Sequence, residues 1–149
     1  MKLPARVSVL FLLGIFLVGS TALGYYYYFY YAPPLKAAER FMAAMEAKNL
    51  AAVTASIVMG VSLETGDLRE ASEPEAQQLL GDGFDRGRIL DQRKREGKSR
   101  NYYYMVYREP DGTIFALVVT SFGNEFRVVI PETGMSQRHR YLWDYTWTN

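Results

Sequence analysis

From Val7 to Tyr31 the chain runs without one charged residue, and no other stretch limits so tightly what it can become. As an α-helix those residues extend about 37 Å, enough to cross a hydrocarbon core of about 30 Å and enter a headgroup layer. The run closes on "GYYYYFYYAPP", Gly24 to Pro34, which holds six of the chain's 12 tyrosines. An interfacial aromatic belt needs only a few such rings. Seven in a row span about two helical turns and so face every direction. The belt explains their position but not their number. Tyr25, Tyr26, Tyr27, Tyr28, Phe29, Tyr30 and Tyr31 are therefore expected to touch a partner as well: a neighbouring membrane helix, a lipid or a bound group.

Two cations, Lys2 and Arg6, precede the apolar run. A short basic tail favours a cytoplasmic N-terminus and an extracytoplasmic domain, periplasmic in a bacterium; Lys36, Arg40 and Lys48 beyond the span weaken that bias. The rival reading is a signal peptide cleaved at the small residues Ser20-Thr21-Ala22, which releases a secreted domain. The apolar run continues through Leu23 into the aromatics, which favours a retained anchor. The expected organisation is a basic tail over 1–6, a transmembrane helix over 7–31, a proline joint over 32–34 and an α+β domain over 35–149.

Pro33-Pro34 is expected to break the helix, because proline lacks the amide donor and restricts the residue before it. In "LKAAERFMAAMEAKNLAAVTASI", Leu35, Ala38, Phe41, Met42 and Met45 recur at helical spacing. Asn49 is placed to cap a second helix bearing Leu50, Val53 and Ile57, which Gly60 would end. Ser72 and Glu75 have capping-box spacing for a short third helix to about Leu80, stopped by Gly81 and Gly83. Strand-like runs follow: "RILDQRKRE", "NYYYMVYRE", "TIFALVVTSF" and "EFRVVIPE". Asp111-Gly112 and Gly123-Asn124 are hairpin signals between them. Ile114 to Val119, apolar on both faces, should be the central strand; Phe126, Val128 and Ile130 should share a face. Helices first and strands after predict an α+β domain, two to three helices on an antiparallel sheet of four to six strands.

The run "AERFMAAMEAKNLAAVTASI", with the hairpins "YYYMVYREPDGTIFALVV" and "FALVVTSFGNEFRVVI", resembles the nuclear transport factor two-like superfamily over about Leu35 to Asn149. The resemblance implies a sheet curled around the helices into a cone with one pocket. Members include small-molecule isomerases and dehydratases, and also domains without chemistry that bind proteins or serve as membrane-tethered accessory modules. Enzymatic members set a His or Asp with Tyr inside the cone. No spacing in this chain reproduces that set, so the resemblance carries over a fold and no catalytic residue.

Residues able to carry chemistry are few. His139, the one histidine, lies between Arg138 and Arg140 in a loop-like segment. A neutral-range pKa makes it a general-base candidate, and a solvated loop histidine is its plain reading. Asp144 lies in "YLWDYTWTN"; on a strand, Tyr141, Trp143, Tyr145 and Trp147 share one face and Leu142 and Asp144 the other. An acid inside an apolar cone would have a raised pKa and could act as a base; the plain reading faces it to solvent or an arginine. With one histidine and no cysteine, metal sites and thiol chemistry have little to build on, and no cofactor is implied. Net charge is +1, which gives no pull toward nucleic acid.

Charge is instead sorted along the chain. Glu64, Asp67, Glu70, Glu73, Glu75, Asp82 and Asp85 form an acidic stretch interrupted by Arg69. Arg86, Arg88, Arg93, Lys94, Arg95, Lys98 and Arg100 then form a basic one. It reads either as a solvated edge hairpin, its cations guarding against stray pairing, or as a docking surface for an acidic partner or anionic headgroups. Tyr102 and Tyr104 fall on one face of their strand, Tyr103 and Tyr107 on the other, suited to core packing or a pocket.

The leading expectation is a non-catalytic single-span membrane protein whose extracytoplasmic domain binds other membrane subunits. It would be an accessory or stabilising subunit of a larger complex, for example an energy-transducing one. The alternative is a small-molecule-binding or isomerase-like pocket in the cone, for which Asp144 and His139 are the weak catalytic candidates. The third is the secreted domain released near Ala22.

Overall fold

A computed structural model of the chain describes residues 5–61, 66–83, 86–97, 99–132 and 143–144. Contacts divide it into two units, Met1–Pro33 and Pro34–Asn149. The first is helix α1, Ala5–Tyr26, followed directly by a π-helical turn, Tyr27–Tyr31, and the opening residues of α2, Ala32–Glu46. The expected break at Pro33-Pro34 is thus not a break. Both prolines sit in the first turn of α2, where a missing amide donor costs least. The π turn absorbs the mismatch: the Ala32 N–H bonds back five residues to the Tyr27 carbonyl.

In the second unit, α2 buries Ala38, Phe41, Met42 and Met45 and leaves Glu39, Arg40 and Glu46 exposed, as the spacing predicts. It ends in a Schellman arrangement. The Asn49 N–H bonds the Ala44 carbonyl at 3.0 Å, the Lys48 N–H bonds that of Met45 at 3.1 Å, and Lys48 takes a positive φ of 51°. Asn49 then starts the next helix as its N-cap, accepting from the Ala52 N–H at 3.1 Å.

Helix α3, Leu50–Ser56, is shorter than its apolar pattern suggests. Ile57 does not extend the helix and Gly60 does not stop it: Ile57–Gly60 is strand β1, buried throughout. Four residues with no polar face and two β-branched members are better satisfied in the middle of a sheet than at a helix end. The polar stretch after it holds a further short strand, β2, Leu68–Glu70. Helix α4, Glu73–Gly81, forms as its capping signals predict. The Ser72 N–H donates to Glu75 at 2.8 Å, and Gly83 takes a φ of 83° beyond its end.

The strands that follow are β3 (Arg88–Glu96), β4 (Asn101–Arg108), β5 (Ile114–Phe122), β6 (Glu125–Pro131) and the two-residue β7 (Trp143–Asp144). They match the four expected runs and place a trace of the tail against the sheet. Strand order is β2-β1-β6-β5-β4-β3, with β7 beside β5. The sheet is mixed rather than antiparallel throughout. β1 runs parallel to β6, Ile57 opposite Val128 and Met59 opposite Ile130, while the other pairings are antiparallel. β5 lies inside the sheet as its double-sided apolar run requires. The β5–β6 hairpin closes on Gly123-Asn124, Gly123 supplying the positive φ of 62° that a type II′ turn needs at that position.

The two sheet faces bury different residues. Toward the helices, Ile57, Met59, Met105, Tyr107, Leu117, Val119, Val128 and Ile130 pack with Phe41, Met45, Val53, Ala76 and Leu79. The other face carries Val58, Tyr102, Tyr104, Ala116, Val118 and Val129. Each buried aliphatic or aromatic side chain contributes about 1.5–3 kcal/mol, so this two-sided burial dominates stability. Lys48 is the one described non-glycine residue at positive φ, and it stands where glycine is usual. Lys48→Gly is therefore expected to stabilise the domain by about 0.5 kcal/mol, measurable as a raised denaturant midpoint with unchanged slope.

Candidate functional site

The first surface lies wholly within the N-terminal unit. Of its large apolar residues, Val9 through Val18 and Leu23 are each at least half exposed. Among the described residues one helical stretch, from Val9 to Glu46, is long and apolar enough to cross a membrane. Two of its hydroxyls are satisfied internally: Ser20 and Thr21 both donate to the Leu17 carbonyl, at 3.0 and 2.8 Å. That back-bonding suits an apolar surrounding, where a hydroxyl without a partner costs several kcal/mol, about 4–8 on a cyclohexane scale.

The aromatic collar follows. Its rings pair along the helix: Tyr25 lies tilted against Phe29 at 4.6 Å between centroids, and Tyr26 stacks on Tyr30 at 5.9 Å and Tyr27 on Tyr31 at 5.5 Å. Self-stacking thus accounts for part of the number the sequence left unexplained, yet Tyr25 through Tyr30 each keep more than half their surface outward. The backbone here has a peculiarity that follows from the prolines. The Phe29 carbonyl would be met by residue 33 in α register and by residue 34 in π register, and neither Pro33 nor Pro34 has an N–H. The helical ladder offers it no donor at either spacing.

The second surface belongs to the domain. β3 is a terminal strand, paired with β4 alone among the described residues. Arg88, Arg93, Lys94 and Arg95 lie on it, all exposed. Register sets Arg93 opposite Tyr104 and Arg95 opposite Tyr102 on the face away from the helices, with Lys94 opposite Tyr103 on the helix side. Arg86, just before the strand, reaches Glu46 at the end of α2 at 2.6 Å. Arg100, just after it, donates to the Ser121 carbonyl at 3.4 Å. Within the strand, Arg93 meets Asp91 at 3.1 Å and Lys94 meets Glu96 at 3.6 Å. Exposed pairs of this kind contribute roughly 0–1 kcal/mol. Lys98 lies outside the described residues.

The acidic stretch is not one surface. Arg69, which interrupts it in sequence, gathers it in space: its guanidinium meets Glu75 at 2.5 Å and Glu132 at 2.6 Å, tying β2 to α4 and to the end of β6. Glu70 approaches Arg127 at 3.8 Å. The Arg69 guanidinium, and then the Ser72 N–H, hold the Glu75 carboxyl down at about 2. This clasp was not foreseen from sequence, where Arg69 reads only as an exception to its neighbours. Glu64 and Asp85 lie outside the described residues.

Of the catalytic candidates, His139 lies outside the described residues. Asp144 is described through its backbone, which pairs with Phe115 on β5. The facing pattern expected for Tyr141, Leu142, Tyr145 and Trp147 also falls outside them. Tyr102, Tyr104 and Tyr107 are buried in the sheet's two faces, which favours packing over a lined pocket. Tyr102 keeps one cost: its hydroxyl is buried without a hydrogen-bond partner among the described residues, and burial pushes its pKa up. Two clefts of about 540 and 610 Å³ flank α3, the first lined by alanines with Arg40 and Glu125, the second by Thr54, Glu70, Glu73 and Arg127. Among the described residues no three acidic or histidine side chains are grouped to hold a metal ion. No known family, curated protein or solved structure matches the chain.

Two measurements test this description. Glu75 has its pKa lowered from an ordinary 4.5 to about 2, so its stabilisation is fully present above about pH 4.5 and is lost as pH falls toward 2. Glu75→Gln should cost about 1 kcal/mol near neutrality, and thermal melts of the two proteins should converge as the pH approaches 2. Tyr102→Phe removes an unsatisfied buried hydroxyl while keeping the ring, and should raise the melting temperature, by an amount worth about 1 kcal/mol.

Proposed function

We propose that the chain is a single-span membrane protein, N-terminus cytoplasmic and domain extracytoplasmic, that acts without catalysis as an accessory or stabilising subunit of a larger membrane assembly. The observation that carries this reading is the pairing of an outward-facing apolar helix and its aromatic collar with a domain that has its own core. At about 1.5 Å per residue the 22 residues of α1 extend about 33 Å, close to a hydrocarbon core of about 30 Å. The Phe29 carbonyl supports the same placement. In hydrocarbon a backbone acceptor without a donor costs several kcal/mol, so this turn belongs in the hydrated headgroup layer or against a donor from a neighbouring subunit. Collar and turn then share one depth, with α1 below as the span.

The proposal keeps the likeness to the nuclear transport factor two-like superfamily, and on it the domain serves as a binding module. Lys2 and Arg6 support the orientation. The test is native electrophoresis of the full chain after extraction in mild detergent, with tags at either end followed separately. Both tags should migrate together in a band larger than the monomer. Replacing Tyr25–Tyr31 by a mixture of Leu and Ala should shift much of the chain to the monomer position while leaving it in the membrane fraction. Migration of the unaltered chain as a lone monomer with nothing co-purifying would overturn the reading, and loss of the N-terminal tag would replace it with the secreted domain.

A further inference from the structure

The helical ladder leaves the Phe29 carbonyl without a donor, and its surroundings say what kind of donor suits it. Pro33 and Pro34 have no N–H to give, so the bond must come from outside the ladder. Phe29 is more than half exposed, and so are Tyr25, Tyr26, Tyr27, Tyr28 and Tyr30 around it. A carbonyl oxygen and the face of an aromatic ring both carry negative potential. No side chain from Val7 to Tyr31 bears a charge to offset it. A donor that is also a cation answers both features at once. It can form a charge-assisted hydrogen bond with the carbonyl and rest against a ring face.

At headgroup depth the bilayer itself supplies such a donor, the ammonium of a phospholipid. Headgroups differ in the respect that matters here. Phosphatidylethanolamine has an ammonium rich in N–H groups, whereas phosphatidylcholine carries the same charge on a nitrogen with none. Either cation can lie on a tyrosine ring, and either phosphate can accept from the collar's hydroxyls. Only the first can also satisfy the carbonyl. Phosphatidylglycerol has hydroxyl donors but no cation, and it brings net negative charge to the ring faces. A neighbouring membrane helix covers one side of the collar, whereas its rings face every direction and a shell of lipid meets them all.

We propose that the collar binds phospholipids whose ammonium headgroup carries an N–H, phosphatidylethanolamine above all. The ammonium donates to the Phe29 carbonyl and lies against the tyrosine rings, while the phosphate accepts from their hydroxyls. This deepens the membrane-span reading and rests on it, naming the lipid held where the span meets the headgroups. The number of aromatics then has a use beyond a belt: the rings that do not anchor the helix hold the headgroup beside the open carbonyl.

The test places the full chain in nanodiscs of mixed dioleoyl phospholipids and counts the lipids retained on it by native mass spectrometry. Phosphatidylethanolamine should be retained over phosphatidylcholine by at least about threefold. The N-methyl and N,N-dimethyl forms each keep an N–H and should behave like phosphatidylethanolamine, with the loss falling at the last methyl. The double variant Pro33→Ala, Pro34→Ala supplies amide donors at both spacings. It should stay in the membrane and lose the preference; where it fails to insert, the methylation series on the unaltered chain decides alone. Equal retention of the two parent lipids would overturn the proposal. So would a steady decline with each methyl, which reports headgroup size, or a preference that survives in the double variant. Retention of phosphatidylglycerol at the level of phosphatidylethanolamine would overturn the role of the cation. Failure of the unaltered chain to enter nanodiscs would instead sink the membrane-span reading, and co-migration with an assembly tests the accessory-subunit reading separately.

Discussion

The domain depends on the parallel pairing of β1 with β6. Residues Ile57 to Gly60 follow α3 without a connecting loop and are buried along their whole length. Once they lie beside Val128–Pro131, α3 must rest on the helix-facing side of the sheet, and α2, joined to it by the turn at Lys48-Asn49, has little choice but to follow. β2 then pairs on the outer side of β1 and delivers Arg69 to Glu75 and Glu132. A four-residue strand thus fixes the position of three helices, because among the described strands it is the one that pairs the N-terminal half of the domain with the hairpins of its C-terminal half.

That pairing was also the hardest part to foresee. The hairpins β3–β4, β4–β5 and β5–β6 are local, announced by turn residues and by the change from a period of 3.6 to one of 2. The caps at Asn49 and Ser72 are equally local, since each is a side chain bonding within three residues of itself. Ile57 and Val58 carry no such signal. Ile57 continues the helical stripe of Leu50 and Val53, and only a strand more than 70 residues away in sequence makes it β. The prolines misled for the complementary reason: a proline pair disrupts the interior of an α-helix, but here it follows a π turn, and the ladder leaves the Phe29 carbonyl without a donor instead of ending. Of the candidate sites, the charge of the basic strip was legible and its place on an outer strand was not, because strand order is a property of the whole sheet.

Charge in this domain does two kinds of work that sequence blocks do not separate. Arg69, Glu75 and Glu132 are bound into one another and hold three elements together, although Arg69 sits in the acidic block and looks like an interruption there. Arg86 clasps Glu46, a residue from neither block. What remains outward on β3 is a smaller set than composition suggests, and it lies on the last strand in the sheet order. A charged stretch is therefore divided by the fold into clasps, which join elements, and a strip, which faces outward.

The register shift at Leu90 gives that strip a sense of direction. From Asp91 to Glu96 the signs run negative, neutral, positive, positive, positive, negative, nearly the same read from either end. Charge alone therefore does not distinguish one end of the strand from the other. The two ends of the edge are not equivalent in shape, however, for one is kinked at Leu90 and the other turns at Gly97, whose N–H bonds the Arg100 carbonyl at 2.9 Å. Direction along this strand is therefore written in backbone geometry, not in charge.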